Sequence, residues 1–497
     1  MANRILKPLL SAVVATVFTL SASAQVTDAG HPQPSRRGIS RQEMLSRRAA
    51  STQDKGPGGN YFTGEKHQLV VLAAFANNPF LGDSAATIAQ WDKILNTEGL
   101  DEAPFAGSLH DYFSDQSYGQ FNLVCDLQYV RVDSCRRYRS TAMDDENSQY
   151  LVQDVIAALK QRDIRWDRYD WNGDGYVNQL LIIFAGQGSA YGGLGPSYDA
   201  IWPHQLWLSM HLKDRQQNVY CSPDTIRYQD KDYVLDAYCA VQEIASDSTY
   251  GAFGTLCHEY THCFGFPDFY SGVGDTPYSW DLMDNGNYNG DGFVPAGYSA
   301  HERWLMGWLT PTELTTPTTV TGIPALSDEP VAYIIRNDAY PDEFYMLENR
   351  QQKSWDAELP GSGVMIFHID YDRDLWLTGP VNTYSERHYT VFPANDVSSK
   401  ASCTGWAYPY ETNNALTDTT EPASILWHAN NDGKKMMSKP VTDIAVENGL
   451  ASFTFMSVTT DAARPTVSTQ PQKIFRNGQI VILLDGKAFA PSGIELR

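Results

Sequence analysis

The stretch from His258 to Asp268 constrains this chain more than any other part of its sequence. It reads His-Glu-Tyr-Thr-His-Cys-Phe-Gly-Phe-Pro-Asp, with two histidines four residues apart and Glu259 directly after the first. On a helix, both imidazoles project from one face and can reach a single ion, while the carboxylate lies beside the open position of that ion. The pattern predicts a zinc site at His258 and His262, with Glu259 as the general base that deprotonates a zinc-activated water.

The third zinc ligand is predicted from the residues that follow the second histidine. Gly265 can adopt the left-handed conformation that ends a helix, so Asp268 can turn back to the same ion. His301 and Glu302, on the next predicted helix, are rivals for this position, because some zinc peptidases take a glutamate from a downstream helix. Met283 lies in a turn-rich segment and is predicted to form a Met-turn beneath the zinc.

The order of these residues resembles the metzincin clan, and their flanks resemble the immune inhibitor A family of secreted bacterial zinc metalloproteases. The matching segments are residues 258–268, Trp280-Asp-Leu-Met283, Trp304-Leu-Met-Gly-Trp308 and Leu347-Glu-Asn-Arg350. The resemblance implies an α+β metzincin-like catalytic domain followed by an all-β sandwich-like domain. It also implies a zinc metalloendopeptidase, a hydrolase that cuts peptide bonds in protein or peptide substrates.

One feature of the metzincin pattern is missing from this chain. Some metzincins carry a tyrosine two residues after the methionine of the turn, and Asn285 stands at that position here. Tyr288 is the nearest candidate for stabilising the oxyanion that forms when a carbonyl is attacked.

The N-terminus predicts export. Residues 1–24 combine a basic start with an apolar run from Leu9 to Leu20 and a small-residue end at Ser21–Ala24, which is typical of a signal peptide. The run is too short to span a bilayer, and no later stretch is long enough for a transmembrane segment. We therefore expect a secreted or cell-surface protein. Residues 25–60, rich in Arg, Ser, Gln, Pro and Gly, are predicted to be the propeptide of a zymogen or a linker.

The rest of the chain divides into three expected regions. Residues 61–309 form the zinc metalloprotease catalytic domain, which opens with a buried strand at His67–Phe75 and contains a helix near residues 147–162. Alternating apolar runs predict the β-sandwich-like domain at residues 310–458. Residues 459–497 are expected to form a C-terminal β tail with hairpin turns, which is either a secretion or anchoring signal or only a small β-meander.

A polar loop before one predicted strand matches the first part of a calcium-binding loop. Oxygen-bearing side chains and a glycine follow the expected spacing, but Leu181 stands where an EF-hand has a bidentate glutamate. The loop predicts either a structural calcium site of another type or a plain Asx and Gly turn. The predicted calcium ligands are Asp170, Asn172, Asp174, Tyr176 and Asn178.

Composition limits the partners and the redox chemistry. The formal net charge of −22 argues against nucleic acid as a partner. Seven cysteines in an exported chain allow disulfides, and Cys125 with Cys135 or Cys221 with Cys239 would close short loops. Cys257 and Cys263 are expected to be buried rather than to bind zinc.

Two other functions compete with peptide hydrolysis. The first is a surface adhesion or binding protein in which the zinc is structural, and the second is an amidase that acts on non-protein substrates. Glu259 separates catalysis from a structural site, because only catalysis requires that carboxylate. The isolated histidines His110, His204 and His368 are interpreted as structural residues.

Overall fold

The computed structural model describes residues 62–140, 147–190, 200–210, 223–245, 250–251, 253–271, 276–378, 381–382 and 387–456, together with four short strands after residue 471. The expected signal peptide and propeptide, residues 1–60, lie outside these ranges. Within the described ranges, no helix is both long enough and apolar enough to cross a bilayer.

The first half of the described chain is built on a five-stranded sheet. Its strands are β1 (Gly64–Phe75), β2 (Phe121–Val132), β3 (Leu180–Gln187), β4 (His204–Trp207) and β7 (Ala237–Ile244). Strands β5 (Asp224–Tyr228) and β6 (Lys231–Leu235) form a separate hairpin. The strand order is β2-β1-β3-β7-β4, with β4 antiparallel to β7 and the other neighbours parallel. Strand β1 includes the predicted run His67–Phe75 and begins three residues earlier. Its apolar sequence suits a parallel strand that is covered on both faces.

Three helices flank this sheet: α1 (Ser84–Asn96), α2 (Leu109–Gln116) and α3 (Ser148–Leu159). The first two begin at side chains that cap the helix. The Asp83 side chain accepts the Ala86 amide at the start of α1, and Ser108 and Asp111 form a capping box at the start of α2. Helix α3 confirms the predicted periodicity, because its apolar positions are buried.

The helix of the His258 motif follows β7. Helix α4 (Phe253–Thr261) continues as a 3-10 turn (His262–Phe264) and stops at Gly265, whose φ of 84° is left-handed, as predicted. Further along are α5 (Ala300–Leu305) and α6 (Arg373–Thr378). Helix α4 packs against β7, so its motif is held on the central sheet.

The described chain between residues 310 and 456 forms two more sheets. Their strands are β8 (Thr312–Glu313), β9 (Thr318–Ile323), β10 (Ala332–Arg336), β11 (Glu343–Arg350), β12 (Gly363–Asp370), β13 (Tyr389–Val391), β14 (Val441–Glu447) and β15 (Leu450–Phe455). One sheet has the order β13-β12-β11-β10-β8, and the other has the order β14-β15-β9. The described chain is thus a mixed α/β structure with several sheets and few helices.

The larger of these two sheets has an apolar core on each face. Along β11, Phe344 and Met346 join the core that contains α4, whereas Tyr345 and Leu347 join a second core shared with the three-stranded sheet. This alternation is the two-residue period of a strand that is covered on both sides. The main core therefore continues across residue 309, where the sequence places a domain boundary. That boundary stays a prediction.

The C-terminal strands β16 (Gln472–Arg476), β17 (Gln479–Leu484), β18 (Lys487–Phe489) and β19 (Glu495–Leu496) pair in sequence order, each antiparallel to the next. Arg476 pairs with Gln479 and Leu484 with Lys487, so these strands form the hairpins expected for the tail.

Disulfides do not join the six cysteines in the described ranges. Cys125 and Cys135 are therefore not linked, although the sequence allowed that short closure. Cys257 and Cys263 are both buried, as expected. Cys221 lies outside the described residues.

Candidate metal centre

Helix α4 and the 3-10 turn that continues it bring His258 and His262 together one turn apart, with ring centroids 4.9 Å from each other. The turn at Gly265 then returns the chain, so that the Asp268 Oδ1 atom lies 3.1 Å from His258 Nε2 and 3.4 Å from His262 Nε2. One ligand atom from each of His258, His262 and Asp268 lies within 4.8 Å of the other two, which is close enough to hold one metal ion. The structure thus assembles the three predicted zinc ligands at one point.

The outer ring nitrogens of the two histidines are held by the main chain. His258 Nδ1 donates to the Leu282 carbonyl at 2.8 Å, and His262 Nδ1 donates to the Phe266 carbonyl at 2.7 Å. Because a carbonyl oxygen only accepts, each Nδ1 carries a hydrogen, and each Nε2 faces Asp268. Hydrogen bonds of this kind fix the tautomer of a histidine that binds a metal.

The donor atoms have the spacing that zinc requires. Ligand bonds of about 2.1 Å at tetrahedral angles place donor atoms about 3.4 Å apart. The two nitrogen-to-oxygen distances at Asp268 are 3.1 and 3.4 Å. Two imidazoles and one carboxylate are also a common ligand set for this ion, with a fourth position left for water or substrate. The three residues therefore fit zinc in both geometry and chemistry.

Electrostatics at the centre favour a positive charge. Burial lowers the pKa of His258, but the hydrogen bond and charge of Asp268, joined by the charge of Glu259, outweigh burial and raise that pKa to about 9. A divalent cation would supply the same positive charge in place of the proton. Metal binding must then displace that proton, because a metal ligand histidine is neutral.

Glu259 is the polar neighbour on the same helix. Its side chain is half-buried, whereas every other described residue of α4 is buried. The Tyr270 hydroxyl donates to Asp268, and burial, Asp268 and then Glu259 raise the pKa of Tyr270 well above its usual value. The charge of Tyr288, the predicted oxyanion residue, also raises the pKa of Tyr270. Tyr270 thus contacts the predicted ligand Asp268, and it was not predicted although it follows Asp268 by two residues.

Met283 is fully buried in the turn behind the ligands. Its carbonyl accepts the amide of Phe269, the residue after Asp268, at 2.8 Å, and its own amide donates to Asp281 Oδ1 at 2.8 Å. Its neighbour Leu282 holds His258. The turn is therefore connected by hydrogen bonds to one metal ligand directly and to a second through the main chain.

The rival ligands His301 and Glu302 are not members of the three-residue group. Glu302 Oε2 instead accepts the Ser299 amide at 2.7 Å and completes a capping box at the start of α5. The His301 ring is fully buried among five aromatic rings, at centroid distances of 5.7 to 6.3 Å. Both residues have structural surroundings of their own.

The predicted calcium loop is a tight turn held by its own side chains. Asp174 Oδ1 accepts the Tyr176 amide at 2.8 Å, Asn172 Nδ2 donates to Asp174 at 2.9 Å, and Asn178 Oδ1 accepts the Trp171 amide at 2.6 Å. The bond from the Tyr176 amide to Asp174 is an Asx turn, which the sequence offered as the alternative to a calcium site.

A lysine from the neighbouring hairpin lies at the buried end of this loop. Lys231 Nζ donates to Asp170 Oδ2 at 2.7 Å, and the same oxygen accepts the Gly175 amide at 3.0 Å. Asp170 Oδ1 is buried and has no hydrogen-bond partner in the described part of the chain. The loop thus has one carboxylate oxygen paired with an ammonium group and one oxygen still available to a cation.

The three isolated histidines have local partners. His110 Nδ1 donates to the Leu123 carbonyl at 3.1 Å, His204 Nδ1 donates to the Trp202 carbonyl at 2.6 Å, and His368 Nε2 lies 2.8 Å from Glu343 Oε1. These contacts agree with their interpretation as structural residues.

Part of the chain is similar to known proteins. Residues 96–307 match the family described as immune inhibitor A peptidase M6, catalytic domain. Over 174 residues the chain is 32% identical to immune inhibitor A of Bacillus thuringiensis subsp. alesti. That alignment covers 31% of this chain and 24% of the relative, so the chain spans about a quarter of the relative's length. Residues 96–307, which contain His258, His262 and Asp268, are therefore similar to the catalytic domain of the immune inhibitor A peptidases.

Proposed function

We propose that this protein is a zinc-dependent endopeptidase that hydrolyses peptide bonds in proteins. The observation that carries the proposal is the convergence of His258 Nε2, His262 Nε2 and Asp268 Oδ1, with the half-buried Glu259 beside them. The family match supports peptidase activity, and the resemblance to secreted proteases favours endopeptidase over exopeptidase action.

In this proposal His258, His262 and Asp268 hold the zinc ion. When bound, zinc supplies a Lewis acid that polarises a carbonyl and makes a water nucleophilic near neutral pH. The Leu282 and Phe266 carbonyls keep the two imidazoles in the tautomer that leaves Nε2 available.

Proton transfer in this proposal belongs to Glu259. Its carboxylate accepts a proton from the attacking water and delivers it to the leaving amine nitrogen, so that the C–N bond breaks as the amine is protonated. Tyr270 orients Asp268 through its hydrogen bond. Tyr288 is our candidate for stabilising the negative charge that develops on the carbonyl oxygen.

The wider proposals concern architecture and location. The mainly parallel sheet with one antiparallel edge strand, and the turn at Met283, support a metzincin-like catalytic domain. The two sheets around a shared core after residue 309 support a sandwich-like second region. Residues 1–24 support secretion or display at the cell surface, and residues 25–60 a zymogen.

Calcium is proposed as a second, structural ion in the loop that begins at Asp170. The buried Asp170 Oδ1 atom supports it, because an unpartnered carboxylate oxygen is costly. A calcium ion would compete with the Lys231 ammonium group for the same carboxylate. Its expected effect is on stability rather than on the reaction.

Metal dependence tests the proposed function. The chain without residues 1–60 is incubated with an unfolded general protein substrate, then stripped of metal by a chelator and reloaded. We expect cleavage to stop on stripping and to return with one equivalent of zinc but not with calcium. Cleavage that persists in the metal-free protein would contradict the proposal, and a zinc-loaded protein that cleaves nothing would favour a binding protein with a structural zinc.

A further inference from the structure

The sheet that follows residue 309 reaches the metal centre through Tyr389 on strand β13. The Tyr389 hydroxyl donates to Asp281 Oδ2 at 3.0 Å and lies 2.8 Å from Ser299 Oγ. Tyr389 and Asp281 are both fully buried. We infer that Tyr389, together with Asn382, is a positioning residue for two of the metal ligands. The inference rests on the proposed metal site and assigns it a support that comes from another part of the chain.

The first connection leads to His258. While Oδ2 of Asp281 binds Tyr389, Oδ1 accepts the Met283 amide at 2.8 Å. This fixes the main chain on both sides of Leu282, whose carbonyl accepts the Nδ1 hydrogen of His258 at 2.8 Å. Tyr389 therefore helps to determine where that carbonyl lies, and the carbonyl sets the tautomer and orientation of the imidazole.

The second connection leads to Asp268. The Tyr389 ring packs on the ring of Phe269, with centroids 4.2 Å apart, and Phe269 directly follows Asp268 in the chain. Asn382 Nδ2 donates to the Phe269 carbonyl at 2.7 Å and to the Tyr389 carbonyl at 2.7 Å, and its Oδ1 accepts the Tyr389 amide at 3.1 Å. Asn382 thus ties the backbone of Tyr389 to the backbone that presents Asp268.

The two connections have one consequence for the domain division. Residues 61–309 contain every proposed ligand but lack Tyr389 and Asn382. The shared apolar core across residue 309 gives the sheet a fixed position from which these residues act. The metal centre is therefore completed by the second region, which acts as part of the peptidase.

The test compares two tyrosines of the same sheet in the full exported chain. Tyr389→Phe removes the hydroxyl and keeps the ring on Phe269. Tyr345→Phe is the matched control, because Tyr345 is equally buried on β11 and its hydroxyl donates to the Ile425 carbonyl at 2.6 Å in the second core. Tyr389→Phe loses the contacts of a hydroxyl with Asp281 and Ser299, and Tyr345→Phe loses one hydrogen bond to a main-chain carbonyl. A purely structural role predicts the same zinc binding for both variants.

Zinc affinity is measured by competition with a chromophoric chelator, and the ligand-field spectrum of the cobalt-substituted protein is recorded. We expect Tyr389→Phe to weaken zinc binding by about 10- to 100-fold, as for other residues that orient metal ligands, and to change the cobalt spectrum, while Tyr345→Phe matches the wild type. Asn382→Ser is measured in parallel and decides the matter if Tyr389→Phe does not fold. Wild-type affinity in the folded positioning variants would overturn the inference. A wild-type chain that binds no zinc would instead overturn the proposed function.

Discussion

Gly254 touches the main chain of Asn287, because a Cβ atom on Gly254 would lie 1.9 Å from the Asn287 carbonyl oxygen. This contact joins the helix of the metal ligands to the segment that follows the Met283 turn. A backbone atom cannot move aside as a flexible side chain can. The absence of a side chain at Gly254 therefore sets how closely α4 approaches that segment.

Gly254→Ala is predicted to destabilise the fold even though alanine is the better helix former. Alanine gains up to about 1 kcal/mol of helix propensity over glycine, whereas forcing atoms into a packed site costs about 1–3 kcal/mol and here displaces backbone. We expect a lower melting temperature and weaker zinc binding, measured by thermal denaturation and chelator competition. A variant as stable as the wild type would show that the helix can move without loss.

The assignment of Asp268 as third ligand predicts a sharp difference between two acidic residues. Asp268→Ala should reduce zinc affinity by more than the roughly 100-fold expected for loss of a residue that only orients a ligand, because a direct ligand is lost. Glu302→Gln keeps the size of the capping side chain and should leave zinc bound at one equivalent. Zinc content after dialysis against a weak chelator distinguishes the variants. The opposite pattern would make Glu302 the ligand.

His301 predicts a pH dependence of stability. Burial lowers its pKa to about 3, and neither ring nitrogen has a hydrogen-bond partner among the described residues. The unfolded chain binds the His301 proton more readily than the folded chain does between its ordinary pKa of about 6.5 and its folded pKa. Stability is therefore retained above about pH 6.5 and lost below it, by about 1.4 kcal/mol per pH unit.

His301→Phe removes this titration and the unpaired ring nitrogens. The free energy of unfolding of both metal-free proteins is measured in urea at pH 7 and pH 5. We expect the free energy of unfolding of the variant, relative to the wild type, to rise by about 2 kcal/mol from pH 7 to pH 5, because only the wild type must unfold to protonate His301. A difference that does not change with pH would mean that His301 binds its proton equally well in the folded and the unfolded protein.

The proposed calcium site predicts a competition with Lys231. Millimolar calcium should raise the melting temperature of the wild type, because an ion that binds only the folded state adds stability. Lys231→Met removes the competing ammonium group and should strengthen the calcium response, while Asp174→Asn should weaken it. Magnesium serves as the control ion. If calcium changes the melting temperature of none of the three proteins, the loop is an Asx turn and not a calcium site.

Sequence reasoning performed best where the relevant residues are neighbours in the chain. The helix of His258, its stop at Gly265 and the return of Asp268 follow from local spacing and backbone preference, and the structure brings these residues together. Strand β1 and helix α3 were also predicted from their apolar periodicity. Each depends on interactions within about a dozen residues.

The supporting contacts could not be predicted in the same way. Tyr389 meets Asp281 across 108 residues, and Lys231 meets Asp170 across 61. Such pairs depend on how separate strands pack, which no local pattern reports. His301 illustrates the same limit, because a histidine near the motif resembles a ligand until its aromatic surroundings are known.

The central claim is that Glu259 transfers protons at a zinc ion held by His258, His262 and Asp268. The direct measurement is cleavage of an unfolded protein substrate by the wild type and by Glu259→Gln, each shown to contain one zinc per chain. Loss of a general base predicts a fall in kcat/KM of about 10²- to 10⁴-fold with the zinc content unchanged. A zinc-loaded Glu259→Gln protein that cleaves at the wild-type rate would contradict this account.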